Sequence, residues 1–332
     1  MQCGECGRII PDAARFCPQC GAKIAHEGEG ASQNVGGLQV PGTTGDKRKI
    51  QRRQRSNKAT FFLCLLGIAV VFVVEVIAVV VGMLAGLDLT TCGYVGSVVG
   101  TVAAIAAMHG ASLLVPSANT MRVTLRTGWW AIAVSALLMC FDLASSLATG
   151  SFALADGWPL NVMGIALMCL AIGISEEGMF RGLLLGGLLS ILGKTKRGVT
   201  RAVVISSVAF GLAHIDWIGL DYADPLSLLQ ALLKVIQTGV YGYYLGAVVV
   251  ATGSIVGSVF LHALDNFLLM FVSIGLLGSP LSTDYVSTEA DAVPTIVLYA
   301  IVIVLYVPLV VQGRKLLRQA PEPCLGAFVR KD

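Results

Sequence analysis

Residues 60–85 read TFFLCLLGIAVVFVVEVIAVVVGMLA. One ionisable side chain with a formal charge, Glu75, interrupts this run. A helix rises about 1.5 Å per residue, so about 20 such residues cross a hydrocarbon core of roughly 30 Å. A run of this length reads as a membrane span. Working outward, further apolar runs lie near 93–115, 128–149, 160–192, 201–214, 226–250, 253–277 and 294–312. Together they predict eight helices. The fourth run is too long for a simple span, which predicts a kink or tilt, and the fifth is short. Across all 332 residues, 55% are hydrophobic and 13% charged, and mean hydropathy is +0.79. Soluble domains carry about 25% charged residues. A soluble enzyme, a disordered chain and a nucleic-acid-binding body are excluded. The expected fold is an all-α polytopic membrane protein.

The few charges are unevenly placed. With eight alternating spans and a cytoplasmic N-terminus, the inner segments are 47–58, 116–127, 193–201, the turn near 251 and the tail after 313. They hold 18 Lys/Arg, and the outer loops near 86–92, 150–159, 215–225 and 278–293 hold none. Those outer loops carry eight acids: Asp88, Asp156, Asp216, Asp221, Asp224, Asp284, Glu289 and Asp291. Positive charge stays on the cytoplasmic side of membranes. The bias predicts a plasma-membrane protein with both termini in the cytoplasm.

A soluble front end precedes the spans. Residues 1–24 contain Cys3-Gly-Glu-Cys6-Gly and Cys17-Pro-Gln-Cys20-Gly. Two such knuckles aim four thiolates at one tetrahedral centre, as structural zinc requires. So short a segment has no core, and metal binding would supply its folding energy. Two disulfides or a redox pair are the competing readings. The segment resembles the zinc-ribbon modules of many bacterial proteins, with a possible protein partner. Residues 25–58 read as a flexible linker and a basic juxtamembrane stretch that favours the bilayer surface over nucleic acid. The expected core is 59–313, with a cytoplasmic tail at 314–332. The other cysteines, Cys64, Cys92, Cys140, Cys169 and Cys324, read as small buried apolar residues.

Ionisable groups inside a membrane are costly and mark function by default. Here they are Glu75, His109, Asp142, Glu176, Glu177, Arg181, His214, Lys234, His262 and Asp265. Glu75, His109 and Asp142 stand alone and read as structural hydrogen-bonding groups. Lys234 reads as a side chain that snorkels to an interface. Glu177 and Arg181 lie four apart and share a helix face, so they can pair. Glu176 is turned about 100° away and stays available as a general base. His214 follows Phe210 by four residues. Counted from the basic loop at 194–201, Glu176 and His214 fall within roughly 8 Å in depth. His262 and Asn266, again four apart, offer donors to a developing oxyanion. Asp265 is off that face and can orient a neighbour or form a structural pair.

Glu176-Glu177-x-x-x-Arg181, Phe210-x-x-x-His214 and His262-x-x-x-Asn266 occur in that order. In these motifs the chain resembles the CPBP family of intramembrane endopeptidases, also called the Abi or CAAX-protease family. The resemblance covers roughly residues 128–277. It implies peptide-bond hydrolysis in which Glu176 and His214 activate water, His262 and Asn266 form the oxyanion hole, and Glu177 and Arg181 hold the first motif. A metal-free glutamate mechanism is favoured. A zinc site made of Glu176, His214 and His262 is the alternative.

Two other classes compete with a protease. One is a non-catalytic immunity or adaptor protein on the same scaffold. The other is a transporter, which lacks support from any inverted repeat. The C-terminal Val-Arg-Lys-Asp is not a CaaX box. A bacterial source is expected, with a membrane or secreted peptide as substrate, cleaved near the cytoplasmic side.

Overall fold

A computed structural model describes residues 57–108, 118–281, 285–287, 291–319 and 324. The ribbon cysteines, the linker and His109 lie outside the described residues. Among these there are ten α-helices and no strand. They are α1 (Asn57–Leu84), α2 (Leu89–Ala107), α3 (Ala118–Ala148), α4 (Trp158–Glu177), α5 (Leu185–Leu192), α6 (Lys196–Leu212), α7 (Pro225–Thr252), α8 (Val256–Met270), α9 (Ala292–Leu305) and α10 (Val307–Arg318).

The ten make eight rods. A π-helical segment, Gly178–Leu184, joins α4 to α5, a second, Phe271–Leu276, extends α8, and α9 runs into α10 through Tyr306. The long fourth run is therefore one rod with π geometry inside it. Six rods are long and apolar enough to cross a membrane. The protein is an all-α polytopic membrane protein. α2 and α6 are the shorter pieces.

Loop acids cap the starts of two helices. Asp88 accepts from the Thr91 amide at the start of α2, and Asp224 accepts from Leu226 and Ser227 before Pro225 opens α7. Such caps satisfy amides that have no partner within the helix. Thr195 does the same for α6.

Lipid tails are as apolar as leucine, so packing between spans relies on small residues and polar contacts. Both effects are present, the first between α6 and α7 and the second between other segments. A Cβ at Gly211 would collide with the Val235 carbonyl, so the two backbones meet directly there. Ser206 of α6 donates to the Phe180 carbonyl at 2.8 Å, and Thr101 of α2 donates to the Ala171 carbonyl at 2.7 Å. The core gathers Leu183, Leu185, Val203, Tyr244, Leu245 and Leu261. The outward surface is apolar, as on α1, where Phe62 is 65% and Phe72 61% exposed. Cys64, Cys92 and Cys169 are buried, but Cys140 is exposed, because its side of α3 faces outward.

Candidate active site

The fourth rod, Trp158–Leu192, has 35 residues and would be roughly 50 Å long as a regular helix. Glu176 sits near its middle. α6, with 17 residues, spans only about 26 Å. It follows α5 after a three-residue connection and packs back along that rod. It therefore stops near the level of Glu176, and His214 lies in the turn just beyond it. The short fifth run is what brings His214 to the centre of the bundle.

Glu177 is fully buried. Its Oε1 meets Arg181 Nη1 at 2.8 Å and receives the His262 Nδ1 hydrogen bond at 2.9 Å. A buried charge needs such partners, and a buried pair broken on one side is strongly destabilised. The Arg181 guanidinium lies over the Phe210 ring, with Cζ 3.9 Å from the centroid. The same ring stands edge-on to His214 at 4.6 Å and to His262 at 5.7 Å. Phe210 is thus the common wall of all three motifs. Gly242 of α7 leaves room for this stack, since a Cβ there would come 2.7 Å from Arg181 Nη2.

Glu176 differs from its neighbour. Its Oε2 is 3.8 Å from His214 Nε2 and 3.8 Å from His262 Nε2. That oxygen is buried and accepts no hydrogen bond. Each histidine is held from behind. His214 Nδ1 donates to the Phe210 carbonyl at 2.8 Å, and His262 Nδ1 faces Glu177. Both rings consequently turn Nε2 toward Glu176. Burial holds the His214 imidazole below its ordinary value, while the Glu176 carboxylate acts in the opposite direction. Asn266 follows His262 by one turn of α8 and is half-buried.

The isolated candidates also find partners. Ser175 donates to Glu75 at 3.3 Å, tying α1 to α4. The Ser135 hydroxyl of α3 donates to Asp265. Asp142 faces the Ser273 backbone. Lys234 departs from the snorkelling expectation. Its ammonium lies 4.0 Å from the Tyr285 ring centroid and 5.6 Å from that of Tyr299. Tyr285 also lies against His214, with centroids 6.0 Å apart. Burial, then the Glu176 and Asp265 charges, push its phenol up to about 12. Neither Tyr285 nor this role of Lys234 has a signal in the sequence, because the contact joins a loop to a helix about fifty residues away.

A cavity of ≈ 620 Å³ adjoins the site, lined by Ile215, Asp216, Leu220, Ser227, Tyr285 and Val286 among others. It opens among the acid-bearing loops. The basic 194–201 segment is at the other end of α6.

The metal alternative can be weighed on geometry. Tetrahedral ligands at about 2.1 Å stand about 3.4 Å apart. The two Glu176–histidine separations of 3.8 Å are wider than that. Histidines fixed from behind are common around metals, so the orientation fits while the spacing is loose.

Residues 158–268 match the model of the family described as Type II CAAX prenyl endopeptidase Rce1-like. Residues 2–24 match that of a zinc-ribbon domain. The first match encloses all three motifs. No curated protein and no solved structure matches the chain.

Proposed function

From a CAAX-endopeptidase-like membrane domain at 158–268, we propose an intramembrane endopeptidase that hydrolyses a peptide bond with water activated by Glu176 and His214. The observation that carries this reading is the buried, unbonded Glu176 Oε2 aimed between two histidine Nε2 atoms. Water held there would give a proton to Glu176 as its oxygen attacks the substrate carbonyl carbon. The tetrahedral oxyanion would accept from Asn266 and from His262. With Nδ1 turned to Glu177, His262 donates at Nε2 only as the doubly protonated ring. The C–N bond then breaks, and the proton on Glu176 passes to the leaving amine. Glu177 and Arg181 fix the backbone and His262 and touch no reacting atom.

The substrate is a peptide or membrane protein reached through the ≈ 620 Å³ cavity. The charge pattern supports cytoplasmic termini, and the zinc-ribbon match over 2–24 supports structural zinc held by Cys3, Cys6, Cys17 and Cys20. The test compares membrane and secreted peptides from cells expressing the wild type, Glu176→Gln or His214→Ala. Shortened peptides are expected only with the wild type, while both variants insert and melt as it does. Unchanged processing by both folded variants defeats the reading and favours a binding or immunity role.

A further inference from the structure

A second cavity lies at the opposite end of α6. It measures ≈ 460 Å³ and is lined by Lys196, Arg197, Thr200, Arg201, Tyr243, Arg314, Leu317 and Arg318. With α6 spanning about 26 Å, it is well separated from Glu176. α6 supplies one wall at its N-terminal end and α10 the other at its C-terminal end. Lys196 joins them by donating to the Arg318 carbonyl at 3.0 Å. Gly313 lets the Tyr243 ring approach α10, since a Cβ there would stand 2.8 Å from that ring. Among the described residues, Arg197, Arg201, Arg314 and Arg318 form no ion pair with an acid. A concave site that gathers four arginines, none paired with an acid among the described residues, is suited to an anion.

The flanking sequence indicates which anion. On α6, Arg197 and Arg201 continue at helical spacing into Val204, Ile205, Val208 and Leu212, all exposed. On α10, Arg314 continues the same way back to Val311 and Val307, also exposed. Residues three and four apart lie on one helix face. Each helix therefore presents a cationic head and an aliphatic stripe pointing into the bilayer. Positive charge at helix ends follows from topology alone, but a cavity with two aliphatic stripes leading from it does not. Basic pockets between spans take lipid headgroups.

We propose that the α6–α10 pocket binds the phosphate of an anionic phospholipid whose acyl chains lie along these stripes. Arginine is suited to it because its planar fork engages phosphate oxygens bidentately. This site is independent of the peptidase reading.

The test is native mass spectrometry of the full chain in detergent. The probes are dioleoylphosphatidylglycerol, dioleoylphosphatidylcholine, the tail-free headgroup glycerophosphoglycerol, and inorganic phosphate. One phosphatidylglycerol should be retained roughly tenfold more strongly than phosphatidylcholine. Arg201→Gln with Arg314→Gln should weaken it roughly 25-fold, about fivefold per arginine removed at a membrane surface. Arg122→Gln with Arg126→Gln, an equal loss of charge on exposed α3 positions, should change it less than about twofold. Thermal unfolding confirms that each variant is folded. Equal retention of the two lipids overturns the proposal. So does unchanged phosphatidylglycerol binding in the folded Arg201/Arg314 variant. Binding of phosphate or the tail-free headgroup as tightly as the lipid also overturns it, because the stripes would then contribute nothing.

Discussion

Phe210 shows how one side chain can serve three motifs. Its face carries Arg181, its edge meets both histidines, and its carbonyl fixes the His214 tautomer. The arrangement depends on a missing side chain opposite it. Gly242→Ala would push a methyl group into Arg181 and Phe210. Overpacking of this kind costs about 1–3 kcal/mol, so a lower melting temperature and lower cleavage activity are expected together. An unshifted melt would show that α7 yields freely. A second prediction concerns pH. Burial lowers the His214 value, Glu176 raises it, and the Lys234 and His262 charges lower it. The neutral ring therefore persists below the ordinary histidine value of about 6.5, and the acid limb of the rate profile should lie below it. Because the folded value is depressed, the stability contribution is present above about 6.5 and is lost as pH falls through the folded value. Lys234→Met removes one lowering charge, so its acid limb should move to higher pH. A limb that stays put shows that the ammonium is not felt at His214. The Glu177–Arg181 pair was legible because helical spacing is a local rule. Lys234 and Tyr285 were not, since only the fold brings that loop and helix together.

The helices carry a further lesson about length. Eight apolar runs correspond to eight rods, and each run's hydropathy alone marks its existence. What hydropathy does not show is where a rod changes geometry. Gly178–Leu184 is π-helical, a form often found at functional sites. Its glycines face α2, where a Cβ at Gly178 would stand 2.9 Å from Ala104 and one at Gly182 would strike the Met108 sulfur. Glycine pairs in a membrane helix mark close approach, but they do not specify π geometry. Deleting Leu184 removes the one residue that the wider π turn absorbs, so it should restore α geometry and leave Leu185–Leu192 near their present faces. Leu185, Leu188 and Leu189 should stay in the core. Expression in membranes and tryptophan-monitored unfolding should stay close to wild type. A melt shifted well below it would mean that the π turn is needed to set the register. The shortness of α6 and the level of His214 near Glu176 were legible, and the fold added that the His214 ring turns its Nε2 toward Glu176 Oε2.

For the molecule as a whole, the ribbon and the membrane core pose one question about metal. A chelator acts on any zinc in the ribbon, so loss of activity in its presence does not report on the core. The two sites can be separated by counting metal in the intact chain. The motif at Cys3, Cys6, Cys17 and Cys20 predicts one zinc held by thiolates. The core offers Glu176, His214 and His262, with Glu176–histidine separations of 3.8 Å. If the reaction runs on Glu176 alone, full-length protein should hold about one zinc per chain. Cys17→Ser with Cys20→Ser should hold close to none and still cleave. Substituting two thiolates rather than truncating leaves the linker and membrane anchor intact. Elemental analysis of both proteins, paired with cleavage of whichever peptide the cellular comparison identifies, gives the answer. Two zinc ions in the wild type and one in the active double variant would place a metal at the histidines. Glu176 would then be its ligand, and the metal-free reading would fail.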